Sequence, residues 1–186
     1  MGSNKNPDVA RWYASAAHNR VGKKYGNQPY TYHLQQAVEQ LYEHVLVLPV
    51  LRFHDHDFIV CATWLHDVIE DTGTTADELG RLFCDQVVEL VEAVTDGPGK
   101  NRKEKKAHVY VNIRAQGPAA LAVKLADRLA NSLACGLAKD PDASMLSMYR
   151  KEQYVFEQEL WVMAVGTGFG PVFQQIRKNL GMEEAK

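Results

Sequence analysis

The stretch "PAALAVKLADRLANSLACGLA", Pro118 to Ala138, decides how the rest of the chain is read. Leu121, Leu125, Leu129 and Leu133 recur at every fourth position and form an apolar ladder. Ala120, Val123, Ala130 and Ala134 make the other face apolar too, with Asp127 and Asn131 standing among them. A helix that is apolar on both faces belongs inside a bundle, not on its surface. Asp127 then meets a low-dielectric interior, where an unpaired carboxylate costs on the order of several kcal/mol. Arg128 follows it directly, but neighbours in sequence do not face each other on a helix. The sequence therefore predicts a positive partner for Asp127 from elsewhere in the fold.

Working outward, the same helical spacing recurs along the chain, and no run alternates with period two. Leu34, Val38, Leu41, Val45 and Leu48 form one stripe, with His33 just ahead of it. Phe58, Ala62, Leu65 and Ile69 form a second, and Leu82, Val87, Leu90, Val91 and Val94 a third that stops at Gly97-Pro98-Gly99. Ala107 to Ile113 reads as a helix broken by Gly117-Pro118, and Pro118 suits the first turn of the next helix. Residues 143–165 read as one long helix, "GTGFGP" (Gly166 to Pro171) as a turn without standard phosphate-loop spacing, and a short helix follows. The expectation is a single all-α domain of roughly eight helices over residues 8–180. Residues 1–7 are expected to be a disordered leader and 181–186 a tail.

Composition narrows the possible roles. The chain has 186 residues, 46% hydrophobic and 24% charged, with a formal net charge of -2. Those values suit one globular domain and give no bulk electrostatic reason for nucleic-acid or membrane binding. The local exception is "KNRKEKK", Lys100 to Lys106, five of whose seven residues are basic. It reads as a solvated helix start or as a rim that draws in an anionic substrate. Cys61, Cys84 and Cys135 lie far apart without C-x-x-C spacing, so they read as free thiols in a reducing compartment. With no signal peptide and no apolar run of membrane-spanning length, a cytoplasmic location is expected.

The chemistry concentrates in "TWLHDVIEDT", Thr63 to Thr72. One imidazole and three carboxylates crowd a stretch that otherwise reads as buried helix. On a continuous helix His66 aligns with Glu70 and Asp67 with Asp71, giving two adjacent polar columns. If the carboxylates stay ionised, a cation must offset their repulsion. A divalent metal answers both this cluster and Asp127, and imidazole with carboxylate donors suits manganese, iron or zinc. "FHDHDF" (Phe53 to Phe58) offers His54, Asp55, His56 and Asp57 as a second cluster, but alternating residues share no helical face. Asp55 or Asp57 reads better as an N-cap.

Three blocks in order, "KKYGNQPYTYH" (Lys23 to His33), "LHDVIEDT" (Leu65 to Thr72) and "KLADRLAN" (Lys124 to Asn131), with "VTDG" (Val94 to Gly97) as a weaker fourth, resemble the HD-domain metal-dependent phosphohydrolases. More narrowly, they resemble the RelA/SpoT-type alarmone hydrolases, including the stand-alone small ones. The resemblance implies an all-α fold holding one metal, usually Mn2+, through His33, His66, Asp67 and Asp127. It further implies that Glu70 and Asp71 serve hydrolysis of a 3′-pyrophosphate from guanosine tetra- or pentaphosphate, releasing pyrophosphate. Lys24, Tyr25 and Asn131 are the candidate substrate contacts. Lys24-Tyr25-Gly26 stands where the family commonly has an Arg-Lys-Ser-Gly-like run, which leaves adenosine alarmones open beside guanosine ones. The expected partner is a nucleotide, with homo-oligomers possible and neither nucleic acid nor membrane involved. The alternatives are another HD phosphohydrolase, such as a nucleotidase or an NADPH 2′-phosphatase, and a silent nucleotide-binding module.

Overall fold

The computed structural model describes residues 2–52, 55–137 and 143–182, and it is all-α apart from one small hairpin. Helix α1 (Pro7–Arg20) starts at Asn6, whose side chain accepts from the Asp8 N–H, with Pro7 in the first turn. Its buried face is Ala10, Ala14, Ala17 and His18. Strands β1 (Lys24–Tyr25) and β2 (Gln28–Pro29) pair antiparallel, Tyr25 opposite Gln28, through a turn in which Gly26 takes φ +57°. Helix α2 (Thr31–Gln40) runs on into a π-helical turn at Leu41–Val45.

The expected second stripe is one run of apolar residues but two helices. Helix α3 (His56–Leu65) ends at His66, and α4 (Val68–Thr72) begins after Asp67, whose φ of -103° and ψ of 0° leave the helical region. The break turns both polar side chains inward, where a continuous helix would have spread them over adjacent columns. Helix α4 ends at Gly73 in the left-handed conformation, φ +73°. A capping box between Thr75 and Glu78 opens α5 (Ala76–Gly80), and α6 (Asp85–Val94) follows. Asn101 caps α7 (Arg102–Gln116), so the basic run is mostly the first turns of a helix.

Helix α8 (Pro118–Leu137) is the axis of the bundle. Every residue from Ala120 to Ala130 is buried, and α2, α3, α6, α7, α9 (Ala143–Ala164) and α10 (Gly170–Asn179) all pack on it. Leu34, Leu41, Ile59, Leu65, Leu121 and Leu125 are fully buried in the core shared by α2, its π-helical turn, α3 and α8. The all-α expectation is met. Among the described residues there are ten α-helices against the roughly eight expected; α1, α5 and the break after Leu65 are the ones that the helical spacing did not mark. The segment expected as a leader donates backbone hydrogen bonds from Gly2 to Gly80 O and from Asn4 to Leu82 O. Of the "FHDHDF" stretch, Phe53 and His54 lie outside the described residues. Asp55 occupies the cap position of α3 but its side chain does not make the capping hydrogen bond. No helix among the described residues is long and apolar enough to cross a membrane.

Candidate metal centre

Three segments distant in sequence bring donor atoms to one point. His33 comes from the first turn of α2, His66 and Asp67 from the α3–α4 break, and Asp127 from the middle of α8. The two Nε2 atoms of His33 and His66 face each other at 3.3 Å. Asp127 Oδ1 lies 3.4 Å from His33 Nε2 and 3.6 Å from His66 Nε2. Asp67 Oδ2 lies 3.0 Å from His66 Nε2 and 3.7 Å from His33 Nε2. An ion with bonds of about 2.1 Å to nitrogen and oxygen sets its donors roughly 3.0–3.5 Å apart. The His33–His66, His33–Asp127 and His66–Asp67 spacings fall in that range, and the other two exceed it by 0.1–0.2 Å. His33, His66 and Asp127 are buried and offer ligand atoms that all lie within 4.8 Å of one another.

The surrounding contacts orient these donors. His66 Nδ1 bonds the Thr63 carbonyl at 2.7 Å, which leaves Nε2 as the lone-pair nitrogen facing the centre. The Tyr30 hydroxyl donates to Asp67 Oδ2. Asp127 accepts from Asn131 Nδ2 at Oδ1 (2.6 Å) and from Lys124 Nζ at Oδ2 (2.9 Å). The predicted positive partner of Asp127 is thus found on its own helix, three residues earlier, where helical geometry makes the two side chains neighbours. This corrects the expectation of a partner from elsewhere in the fold: the ammonium lies at i−3 on α8 itself.

The charges follow from this packing. Burial opposes ionisation of Asp67, but His66 beside it holds its carboxyl well below the usual carboxylate range. Burial acts the same way on Asp127 and is outweighed first by Lys124 and then by the two histidines. For His66, burial favours the neutral ring, yet the Asp67 and Asp127 carboxylates raise its pKa well above the ordinary value. The cluster thus carries concentrated negative charge that a proton or a cation must balance.

Glu70 and Asp71 stand at the rim. Glu70 Oε1 accepts the Asp96 N–H at 2.6 Å, so the "VTDG" stretch holds it in place. Burial raises the Glu70 pKa, although Lys124 pulls the other way. Asp71 pairs with Lys23 at 2.6 Å, with buried His18 Nε2 on its other oxygen at 3.9 Å. His18 stacks on Tyr30 with ring centroids 4.6 Å apart. Sequence reasoning missed Lys23, His18, Tyr30 and Lys124. Three of them sit inside blocks already quoted, so position within a block was the available signal.

The three expected substrate contacts fare differently. Lys24 is exposed on β1 and makes none of the contacts around the centre; its neighbour Lys23 does. Tyr25 stacks on His33, centroids 4.8 Å apart, and its hydroxyl donates to Asn131 Oδ1 at 3.2 Å. Burial pushes that phenol up to about 12, so it stays a donor. Asn131 is held at both ends, by Tyr25 and by Asp127. A cavity of about 290 Å³ opens beside this group, lined by Tyr25, Tyr32, His33, Gln36, Ala130 and Leu133 among others. From the basic run, Lys106 pairs with Asp96 at 2.6 Å and Arg102 with Glu152, while Lys100, Lys103 and Lys105 are exposed.

Comparison with known proteins gives a consistent picture. A family model described as "HD domain" matches residues 10–157. A guanosine-3′,5′-bis(diphosphate) 3′-pyrophosphohydrolase of Aquifex aeolicus (strain VF5) is 33% identical over 122 residues, covering 64% of this chain and 16% of the relative. The Mus musculus protein of the same name, MESH1, is 42% identical over 73 residues, covering 39% of this chain and 41% of the relative. The chain thus spans well under half the length of these relatives. Among solved structures, one described as a metazoan ortholog of SpoT that hydrolyzes ppGpp superposes with a TM-score of 0.71. It covers 98% of this chain and 99% of that one at 22% identity, a likeness of fold.

Proposed function

Because the chain belongs to the HD-domain family, we propose that it is a metal-dependent hydrolase that removes the 3′-pyrophosphate of guanosine or adenosine alarmones, with water as co-substrate and pyrophosphate as one product. The observation that carries this reading is the convergence of two imidazole nitrogens and two carboxylate oxygens at 3.0–3.7 Å, with Glu70 and Asp71 at the same rim. The names of the relatives supply the substrate class.

His33, His66, Asp67 and Asp127 would hold the ion, and manganese is the proposed occupant. A divalent ion there acidifies water and draws charge from phosphate. The chain supplies the rest. Glu70, its pKa raised by burial and its position fixed by Asp96, takes the proton from the attacking water and returns one to the leaving group. Asp71, steadied by Lys23, orients that water. The nucleoside lies in the cavity beside His33, where Tyr25, Tyr32 and small aliphatic side chains offer flat apolar walls. Lys24 and the exposed lysines of α7 serve as attraction for the polyphosphate, not as fixed contacts. We place the protein in the cytoplasm, where its free thiols persist.

The deciding experiment measures pyrophosphate release from guanosine tetraphosphate and its adenosine counterpart, with manganese and with chelator. Release that needs manganese and disappears in Asp127→Ala supports the reading, and the ratio of the two rates identifies the base. Absence of release from either nucleotide, with the ion bound, would move the protein to another nucleotide phosphohydrolase class or to a silent binding module.

A further inference from the structure

The two oxygens of Asp127 have different company. Oδ1 faces the imidazoles at 3.4 and 3.6 Å and takes the Asn131 amide at 2.6 Å. Oδ2 takes the Lys124 ammonium at 2.9 Å. Lys124 is itself buried, in the part of α8 where every residue is covered. A lysine buried there is costly to desolvate, and beside a cation site it also repels the cation. A helix that needed only core volume at this position would carry a leucine or methionine.

We infer that Lys124 is a positioning residue that keeps Asp127 a one-oxygen ligand. Carboxylates bind metal ions through one oxygen or both. With Oδ2 held by Lys124 and Oδ1 steadied by Asn131, Asp127 has one oxygen to give, and the position the other would fill stays open for water or phosphate. Asn131 is held in turn by Tyr25, and Lys124 is buried, so each restraint on Asp127 comes from a side chain that is itself confined. The inference rests on the metal reading above, but it concerns the openness of the site, not the identity of the substrate.

The sign of the expected effect separates positioning from simple charge. Removing an ammonium beside a cation site strengthens cation binding by Coulomb's law. A positioning role adds a second change: the freed Oδ2 swings onto the ion and displaces water. The test titrates metal-free protein with Mn2+ and reads, per bound ion, the paramagnetic relaxation of solvent water. Wild type, Lys124→Met and Lys124→Arg are compared, with circular dichroism confirming the fold. The expected result is that Lys124→Met binds Mn2+ at least as tightly but loses the contribution of about one exchanging water, whereas Lys124→Arg retains it. Unchanged relaxation in Lys124→Met would overturn the inference, as would binding weakened tenfold or more in a folded variant. Should Lys124→Met not fold, a crystal structure of the manganese-loaded wild type decides: both Asp127 oxygens on the ion would overturn it. Failure of the wild type to bind Mn2+ would instead sink the metal reading itself.

Discussion

Glu70 illustrates how much a single side chain's surroundings determine its use. Burial raises its pKa and the Asp96 N–H anchors it, and it is not among the four residues proposed to hold the ion. Glu70→Gln is expected to lower turnover by about 10²–10³-fold while Mn2+ binding persists. In the role of base proposed for it, Glu70 would act in its ionised form, so wild-type activity should rise as pH climbs through a value above the ordinary 4.5. A rate profile measures that limb, and its survival in the Gln variant would remove Glu70 from the reaction. His18 gives a stability test. Its Nδ1 bonds the Ala14 carbonyl and burial lowers its pKa, so it is neutral when folded and charges when unfolded. Its contribution is complete above the unfolded value of 6.5 and is lost as pH falls below it. Melting temperatures of wild type and His18→Gln between pH 6.5 and about pH 5 should therefore diverge in slope, the variant being flatter. At this scale His66, Asp67 and Asp127 stood out because each is a polar residue in an apolar pattern, whereas His33, just ahead of its stripe, was singled out only by the family resemblance. The structure brings His33, His66 and Asp127 into one buried group. Lys23 and Tyr30 were not, because a polar residue beside a hairpin or a tyrosine near a helix start breaks no pattern.

Elements were legible where apolar spacing was strong and obscure where it was carried by small residues. Helix α1 buries mainly alanines, which contribute little to a periodic signal. The α3–α4 break was hidden because Ile59, Leu65, Val68 and Ile69 remain packed in or against the core across it, so the hydrophobic stripe survives a change in backbone direction. The crossing of α8 and α10 offers a test at this scale. A Cβ on Gly136 would stand 2.2 Å from the Asn179 carbonyl oxygen, a backbone atom that moves only with its helix. Gly136→Ala should lower stability by about 1–3 kcal/mol in urea unfolding, although alanine is otherwise the better helix former. Stability equal to or above wild type would show that the two helices sit further apart in solution.

For the whole molecule, the centre brings together parts of the chain that lie far apart in sequence. Residues 33, 66, 67 and 127 come from α2, the α3–α4 break and α8. A cation bound only by the folded arrangement stabilises it by mass action, about 2.7 kcal/mol when free ion is a hundredfold above its dissociation constant. Manganese should raise the melting temperature of the chelator-treated protein, and Asp127→Ala should abolish the rise. An equal rise in the variant would place the ion elsewhere. The all-α class was readable because helical spacing recurs along the chain with no period-two run, and Pro118–Leu137, with apolar residues on both faces, was legible as the central helix.

That same helix sets what evolution can change here. Lys124, Asp127, Arg128 and Asn131 each answer to a different neighbour: an oxygen of Asp127, the ion site, Glu152 with Gln153 on α9, and Tyr25 on the hairpin. One inserted residue turns everything beyond it by about 100°, so an insertion ahead of Lys124 would carry Asp127, Arg128 and Asn131 away from the imidazoles, α9 and the hairpin in one event, the Lys124–Asp127 pair turning as a unit. Descendants of this chain can therefore exchange side chains along α8 one at a time but cannot alter its length. A change of length is better borne by a segment such as 165–169, between α9 and α10, than by 95–101, which carries the Asp96 N–H that holds Glu70 and the Asn101 cap of α7.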